Sequence, residues 1–301
     1  MKSFQYLAPI APFDYVRPNS LNELFDALSQ YGSKAKLLAG GTDLTIALKQ
    51  RMINPEVIID LNHVRTELTG IEASKNSLQI GAMTTYTELE TNPTVLRYAR
   101  ALSEAASQVG TYQIRNLGTI GANLANGSPA ADTAPPLIVL RAKVHVRNKQ
   151  GKREMPVEDF ITGVKRTAIR SDEIITSIEI PMNNGVPSYW MRSAKRNENV
   201  ISVVSVAVAS EIRSERFGDS RVALGAVAPT PILAKETSSK LTESPINSET
   251  IETVSKLAAK ESKPISDVRA GADYRRHLVY ILTKRTINKT VSLARGTKNE
   301  S

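Results

Sequence analysis

Two short glycine-bearing turns constrain this chain more than any other feature. One reads Leu38-Ala39-Gly40-Gly41-Thr42-Asp43-Leu44, the other Gly118-Thr119-Ile120-Gly121-Ala122-Asn123-Leu124-Ala125-Asn126-Gly127. Each follows an extended-looking segment and sets a hydroxyl beside small residues. Glycine permits the necessary dihedrals and leaves no side chain in the way, so such a turn can aim several backbone N–H groups at one anion. Two of them suit the two phosphates of a dinucleotide. Neither matches Gly-x-Gly-x-x-Gly or the loop ending Gly-Lys-Ser/Thr, and the order of elements gives no regular βαβ units. A Rossmann or P-loop fold is therefore not expected.

The chain has 301 residues. That length suits two domains, one of them subdivided. No stretch approaches the roughly 20 apolar residues of a membrane span, and Met1-Lys2-Ser3-Phe4-Gln5-Tyr6 lacks the pattern of a secretory signal. A cytoplasmic address is expected. Cysteine is absent and the histidines are His63, His145 and His277. Disulfides, thiolate metal sites, cysteine nucleophiles and a chain-held iron–sulfur cluster are thereby excluded, and no Ser/His/Asp constellation can be argued. Basic residues gather at Arg141, Lys143, Arg147, Lys149, Lys152 and Arg153, and again along the last forty residues, giving a net charge of +9. No aromatic residue is interleaved between Arg141 and Arg153, so a solvated basic face docking an acidic partner is expected rather than a nucleic-acid surface.

Ser20-Leu21-Asn22-Glu23 matches a capping box. It opens a helix carrying Leu21, Leu24, Phe25 and Leu28 on one face, with Gly32 as its stop. Lys36–Ala39 reads as a buried strand entering the first turn, followed by a brief helix from Asp43 to about Arg51. Val57–Leu61 and Ser77–Ala82 read as strands, and Thr84–Leu89 opens a short helix. A continuous helix is expected from Val95 to Val109, and another over Ala130–Leu140. Lys143–Arg147 and Glu173–Ile180 read as strands. Pro181–Pro187, with Asn183-Asn184-Gly185 between, is the expected linker. Beyond it come strands (Ser188–Arg196, Ile201–Ile212, Arg221–Val227) and then helices near Ile232–Leu241, Ser248–Glu261 and Ala270–Ile287, an α+β layer. Residues 291–301 are read as a disordered tail.

Both turns, in this order, resemble the FAD-binding medium subunit of the xanthine dehydrogenase and carbon monoxide dehydrogenase family of molybdenum hydroxylases. The matching stretches are Lys36–Leu44, Gln113–Asn126 with Ser128-Pro129-Ala130-Ala131-Asp132, Asp172–Pro181, and Pro264–Arg269 with Tyr274-Arg275-Arg276. The resemblance implies an α+β fold. It consists of a para-cresol methylhydroxylase-type FAD-binding domain over 1–182, of two subdomains (about 1–60 and 61–182), and a smaller C-terminal α+β domain over 187–290. It also implies a flavin-carrying electron-transfer subunit. Substrate is then hydroxylated at a molybdopterin cofactor on a large subunit. Two [2Fe–2S] clusters on a small subunit pass electrons to FAD here, and NAD⁺, oxygen or a quinone accepts them. The implied assembly is a dimer of heterotrimers. A stand-alone flavin oxidoreductase, or a scaffold subunit that has lost FAD, are the alternatives.

By the same resemblance, Ala39, Gly40, Gly41, Thr42 and Asp43, with Thr119, Ile120, Gly121, Ala122 and Asn123, cradle the pyrophosphate through main-chain N–H groups and two threonine hydroxyls. Asp43 carries the wrong charge to touch phosphate and is read first as a helix cap. Asn123 serves either phosphate or its own turn. Asp132 corresponds to an acidic residue bonding the cofactor's polar chain, with a helix cap or ion pair as the other reading. Ile175 lies near the flavin ring or in plain core. Val109 is read as core, and Trp190 as core or interface. Ala122 stands where many relatives have glycine and fits only with negative φ. Met191 stands where relatives often place a lysine, so that Arg192, Lys195 or no residue supplies that charge. No catalytic acid, base or metal ligand is expected here, because the cofactor carries the chemistry.

Overall fold

The computed structural model describes residues 10–182 and 185–296. The N-terminal segment through Tyr6, Asn183-Asn184 of the linker and residues 297–301 of the tail lie outside the described residues. The chain opens with a parallel sheet of β1 (Asp14–Val16), β2 (Ala35–Leu38) and β3 (Val57–Asp60), in the order β1-β3-β2. The central strand β3 is buried at all four positions, as its unbroken apolar run requires. Helix α1 (Leu21–Tyr31) lays Leu24, Phe25 and Leu28 on this sheet. Its N-cap is Ser20, whose Oγ accepts from Glu23 N at 3.2 Å. The return bond of the expected box goes one residue further back, from Asn19 N to Glu23 at 2.8 Å. Gly32 ends the helix at φ +49°. The helix after the first turn, α2, spans Leu44–Lys49.

A short α3 (Arg65–Leu68) leads into the second sheet. That sheet contains β4 (Ile71–Ala73), β5 (Ser77–Gly81), β6 (Lys143–Arg147), β7 (Lys152–Pro156) and β10 (Ile174–Pro181), antiparallel in the order β4-β5-β10-β6-β7. Between β7 and β10 lie α10 (Val157–Phe160) and the small hairpin of β8 (Ile161–Gly163) and β9 (Arg166–Thr167). Six helices join β5 to β6: α4 (Tyr86–Thr91), α5 (Pro93–Tyr98), α6 (Arg100–Ser107), α7 (Tyr112–Arg115), α8 (Ile120–Ala125) and α9 (Ala134–Val139). The continuous helix expected over Val95–Val109 is broken. Ala99 leaves the helical region at φ −138°, ψ 46°, separating α5 from α6. The amide of Ala101 freed by this break donates to Ser188 Oγ at 3.2 Å, a partner no local pattern announces.

The third sheet is antiparallel: β11 (Ser188–Ser193), β12 (Val204–Arg213), β13 (Arg216–Gly225) and β14 (Ile232–Leu233). Ile232-Leu233, expected as helix, pairs with Ala223 and Leu224 instead. The helix waits until Lys235, where α11 (Lys235–Leu241) begins, followed by α12 (Ser248–Glu261) and α13 (Ala272–Gly296). Val204, Val206 and Val208 face these helices. Ala207, Ala209 and Ala223 face the other way, into the cluster that holds Leu78, Leu102 and Leu137. The sheet is thus buried on both sides, with small residues where α6 and α9 approach. Trp190 is 1% exposed within that cluster, in its core reading.

Helix α13 continues to Gly296, through residues expected as tail. Buried Thr283, Ile287, Thr290, Val291 and Ala294 keep helical spacing across that stretch. Thr286 and Thr290 donate their hydroxyls to Leu282 O and Thr286 O. The basic run of residues 141–153 keeps most of its cations exposed, and four of them form ion pairs within the chain. Arg141 pairs with Asp219, Lys143 with Glu154, Lys149 with Asp26, and Arg153 with the nearly buried Glu173.

Thr283 is fully buried and its Oγ1 has no hydrogen-bond partner. An orphaned buried hydroxyl costs about 1–3 kcal/mol. Thr283→Val keeps the shape and is expected to raise unfolding free energy by about 1 kcal/mol in denaturant titration, with an unchanged m-value.

Candidate functional site

The first turn sits between β2 and α2. Gly41 has φ +71°, in the left-handed region that favours glycine. At Gly40 a Cβ would lie 1.7 Å from Leu117 O and 2.5 Å from its carbonyl carbon. The two turns singled out in the sequence therefore touch through their main chains, and only a glycine permits it. The N–H groups of Gly40, Gly41, Thr42 and Asp43 donate to no protein acceptor among the described residues. Asp43 sits at the N-cap position of α2, yet its side chain makes no capping bond. The capping role expected for it is not what the structure shows.

The second turn behaves differently. Thr119 caps α8, its Oγ1 accepting from Ala122 N at 3.4 Å. Ile120 N donates to Thr84 O at 3.0 Å, Gly121 N to Ala82 O at 2.9 Å, and Asn123 N to Thr119 O at 3.0 Å. The amides of Ile120, Gly121, Ala122 and Asn123 are thus committed to the protein itself, against the expectation that they face an anion. The exception is Thr119, only 1% exposed, whose N–H meets no protein acceptor among the described residues. A buried N–H is rarely left unpaired. Together with the four open amides of the first turn, it suits an anionic ligand. Ala122 lies inside α8 with negative φ, so it replaces glycine without strain.

Around this junction the structure gathers polar side chains from separate elements. The ring of Tyr86 lies across Gly118, where a Cβ would come within 2.6 Å of it. Tyr86 is buried, and burial pushes its phenol above the ordinary range. The Asp43 and Asp132 carboxylates push it further, with the Asn123 side chain opposing. Asn123 Oδ1 also accepts from Thr133 Oγ1 at 2.5 Å. Tyr86 is the residue that sequence reasoning missed. Its only local signal is the capping box of Thr85 and Glu88 that starts α4 directly before it.

Asp132 is 7% exposed and forms an ion pair, not a helix cap. Its Oδ2 lies 3.2 Å from Arg192 Nη1, and its Oδ1 accepts from Ser202 Oγ at 2.6 Å. Arg192 also donates to Val200 O and Asn197 O. Met191 packs against the helices of the C-terminal half, and Lys195 Nζ donates to Val268 O at 2.8 Å. Of these three, Arg192 is the one that pairs with Asp132. Ile175 is 7% exposed in the largest apolar cluster, with Val109 packed against the same cluster. Its neighbour Thr176 accepts from Ala82 N at 3.0 Å, and Ala82 O accepts from Gly121 N. This short relay of main-chain bonds ties the strand of Ile175 to the second turn.

Burial pushes the Asp132 carboxyl up to about 6 from an ordinary 3.8, against the Ser202 bond and the Arg192 charge. The folded ligand-free protein therefore binds about one more proton than the unfolded chain between those values. Stability held below pH 4 is lost as pH rises through about 6. Relative to Asp132→Asn, the wild-type unfolding free energy is expected to fall by about 1.4 kcal/mol per pH unit across that window. Denaturant titrations of both proteins from pH 4 to 7 check this.

Residues 11–183 match the family described as FAD binding domain in molybdopterin dehydrogenase. Residues 189–290 match the CO dehydrogenase flavoprotein C-terminal domain. The xanthine dehydrogenase FAD-binding subunit of Escherichia coli O157:H7 is 33% identical over 289 residues, covering 94% of this chain and 99% of that protein. The carbon monoxide dehydrogenase medium chain of Hydrogenophaga pseudoflava is 31% identical, covering 92% of this chain and 96% of that protein. In structure, the carbon monoxide dehydrogenase of Hydrogenophaga pseudoflava superimposes with a TM-score of 0.91 at 30% identity, over 95% of this chain and 99% of that one. Quinoline 2-oxidoreductase from Pseudomonas putida 86 does so with a TM-score of 0.90 at 28% identity, over the same shares. The chain belongs to the FAD-binding medium subunits of the xanthine dehydrogenase and carbon monoxide dehydrogenase family of molybdenum hydroxylases.

Proposed function

We propose that this chain is the electron-transfer subunit of a heteromeric molybdenum hydroxylase. It receives electrons from [2Fe–2S] clusters on a small partner subunit, at an FAD that it carries, and hands them to NAD⁺, oxygen or a quinone. Substrate hydroxylation then belongs to a large subunit with a molybdopterin cofactor. The absence of cysteine supports this division, since thiolate-held clusters need another chain. The working assembly in this proposal is a dimer of heterotrimers in the cytoplasm. Among the described residues no helix is long and apolar enough to cross a membrane. We place the division between an FAD domain and a C-terminal domain at residues 182–187, between the two family matches.

One observation carries the cofactor assignment. Open N–H groups of Gly40, Gly41, Thr42 and Asp43 and the buried Thr119 N–H belong to the two turns that meet at Gly40 and Leu117. Main-chain donors fixed in advance hold a diphosphate without paying to organise themselves. The Thr42 hydroxyl adds a donor to this set, while Thr119 Oγ1 keeps α8 in place. Asn123 and Asp132 are the polar side chains toward the ribityl and ribose hydroxyls. Tyr86, held neutral, closes the base of the site without adding charge beside two carboxylates. Ala39, Ile120, Gly121, Ala122 and Ile175 shape the walls and keep water out. Bound FAD would supply a carrier able to exchange electrons singly and in pairs.

Flavin absorbance of the purified subunit, with the subunits that accompany it, tests this. The wild type should hold about one FAD per chain. Gly40→Ala should lose it, because the added carbon overlaps Leu117 O. Thr42→Val should weaken FAD binding about 10- to 100-fold, the worth of one hydrogen bond to a charged group. A wild type without flavin even after reconstitution, or a Gly40→Ala variant with full flavin content, overturns the assignment.

A further inference from the structure

The sequence stretch Pro264–Arg269 with Tyr274-Arg275-Arg276 lies on the start of α13 and the loop before it, outside both glycine turns. It builds a buried ion pair. Arg275, 4% exposed, donates Nη2 to Asp267 Oδ1 at 2.6 Å and Nη1 to Ala226 O at 3.0 Å. Its Nε is buried without a hydrogen-bond partner among the described residues. Such a pair is a poor source of stability, because desolvation of two charges offsets most of their attraction. What this one does is fix the position of Ala226.

Ala226 follows β13 in the left-handed region, at φ +61°, which side chains other than glycine seldom adopt. Its carbonyl is held by Arg275, and its N–H donates to Pro129 O at 2.9 Å. Beside it, Gly225 lies so close to α9 that a Cβ would come within 2.9 Å of Pro135 Cγ. The segment touched at both places, residues 129–135, carries Asp132. Ala131 N donates to Ser128 O and Ala134 N to Ala131 O, each at 3.1 Å. These tight turns leave little slack between Pro129 and Asp132.

A second route starts from the same loop. Asp267 N donates to Ala270 O at 3.1 Å and Arg269 N to Asp267 Oδ1 at 2.8 Å, closing a turn around Val268. Lys195 Nζ donates to Val268 O at 2.8 Å. Lys195 belongs to the loop that runs on to Ser202, whose Oγ donates to Asp132 Oδ1 at 2.6 Å. The Asp267–Arg275 pair is thus linked to Asp132 twice, through Ala226 and Pro129 and through Val268, Lys195 and Ser202. We propose, on the reading of Asp132 as a contact of the FAD hydroxyls, that Asp267 and Arg275 are positioning residues of the cofactor site, acting through Asp132 from the C-terminal half of the chain. An arginine suits this task because its rigid fork meets a carboxylate and a carbonyl at once, where a lysine offers a point charge.

Arg275→Lys keeps the charge beside Asp267 and gives up the bond to Ala226 O. The full chain, with the subunits that accompany it, is freed of flavin and titrated with FAD by flavin fluorescence. Arg275→Lys and Asp132→Asn should each weaken FAD at least about tenfold, the worth of a hydrogen bond to a charged group. The double variant should bind no more weakly than Asp132→Asn alone, because both changes remove one contact. A second readout needs no flavin. The pH-dependent difference in stability from Asp132→Asn, present between pH 4 and 6, should vanish in the Arg275→Lys background as the carboxyl reaches water. Arg192, Ser202 and Tyr86 surround Asp132 in both backgrounds, so the change reports its placement. Asp267→Asn keeps the side-chain shape, should behave alike, and serves if Arg275→Lys does not fold by thermal melt. Additive losses of FAD affinity, or a pH window that survives in the folded variants, overturns the proposal. A wild type that binds no FAD counts against the cofactor reading, while the flavin-free window still decides whether Arg275 places Asp132.

Discussion

The structure depends on one main-chain contact, Gly40 packed against the carbonyl of Leu117. It joins the edge of the parallel sheet to the helical segment that follows α7. Nothing larger than hydrogen fits there, so the two turns either meet at a glycine or do not meet. Once they meet, their donors divide the work. The first turn keeps its amides open. The second surrenders most of its own to Ala82 and Thr84 and becomes the rigid side of the junction. Ala82 also bonds Thr176, so the position of the second turn is set by the central strand of the five-stranded sheet. A backbone held this firmly gives open N–H groups a fixed direction, which is what recognition of a diphosphate requires.

The charged groups follow from the same junction. Tyr86 lies across Gly118 and stays a neutral phenol because burial and two carboxylates oppose its ionisation. Asp132 is tolerated in the interior by Arg192 and Ser202. Arg192 belongs to β11, beyond the 181–187 segment, so this pair connects the two halves of the chain. The apolar core makes the same crossing, since Trp190, Ala207 and Ala223 share a cluster with Leu78 and Ile120.

Much of this was legible in the sequence where local patterns decide the outcome. Ser20 and Gly32 bound α1, Ser248 to Glu261 form α12, and the alternation of Lys143–Arg147 gives a strand, as read. The two turns were found from glycine placement alone. What escaped was set by distant partners. The break at Ala99 is satisfied by Ser188, from another sheet. Ile232-Leu233 are strand because β13 offers an edge. Residues 291–296, read as part of a tail with the polar end that follows them, are helical because α13 lies on buried core. At the site, main-chain donors of the second turn were expected to face a ligand. Whether an amide is free depends on which carbonyl folds next to it, and Ala82 and Thr84 lie far back in the chain. Tyr86 was missed for the same reason. The ion pairs of the basic run of residues 141–153 were not legible, because the acidic partners Asp26, Glu173 and Asp219 come from three other segments.

The most direct measurement is amide hydrogen exchange of the full chain with and without FAD. Without FAD, the amides of Gly40, Gly41, Thr42 and Asp43 should exchange rapidly. Those of Ile120, Gly121 and Asn123 should already be protected. Adding FAD should slow the first group strongly and leave the second nearly unchanged. Equal exchange of Gly40–Asp43 in both states, or protection that appears at 120–123 only when FAD is present, would contradict the division of donors on which the site rests.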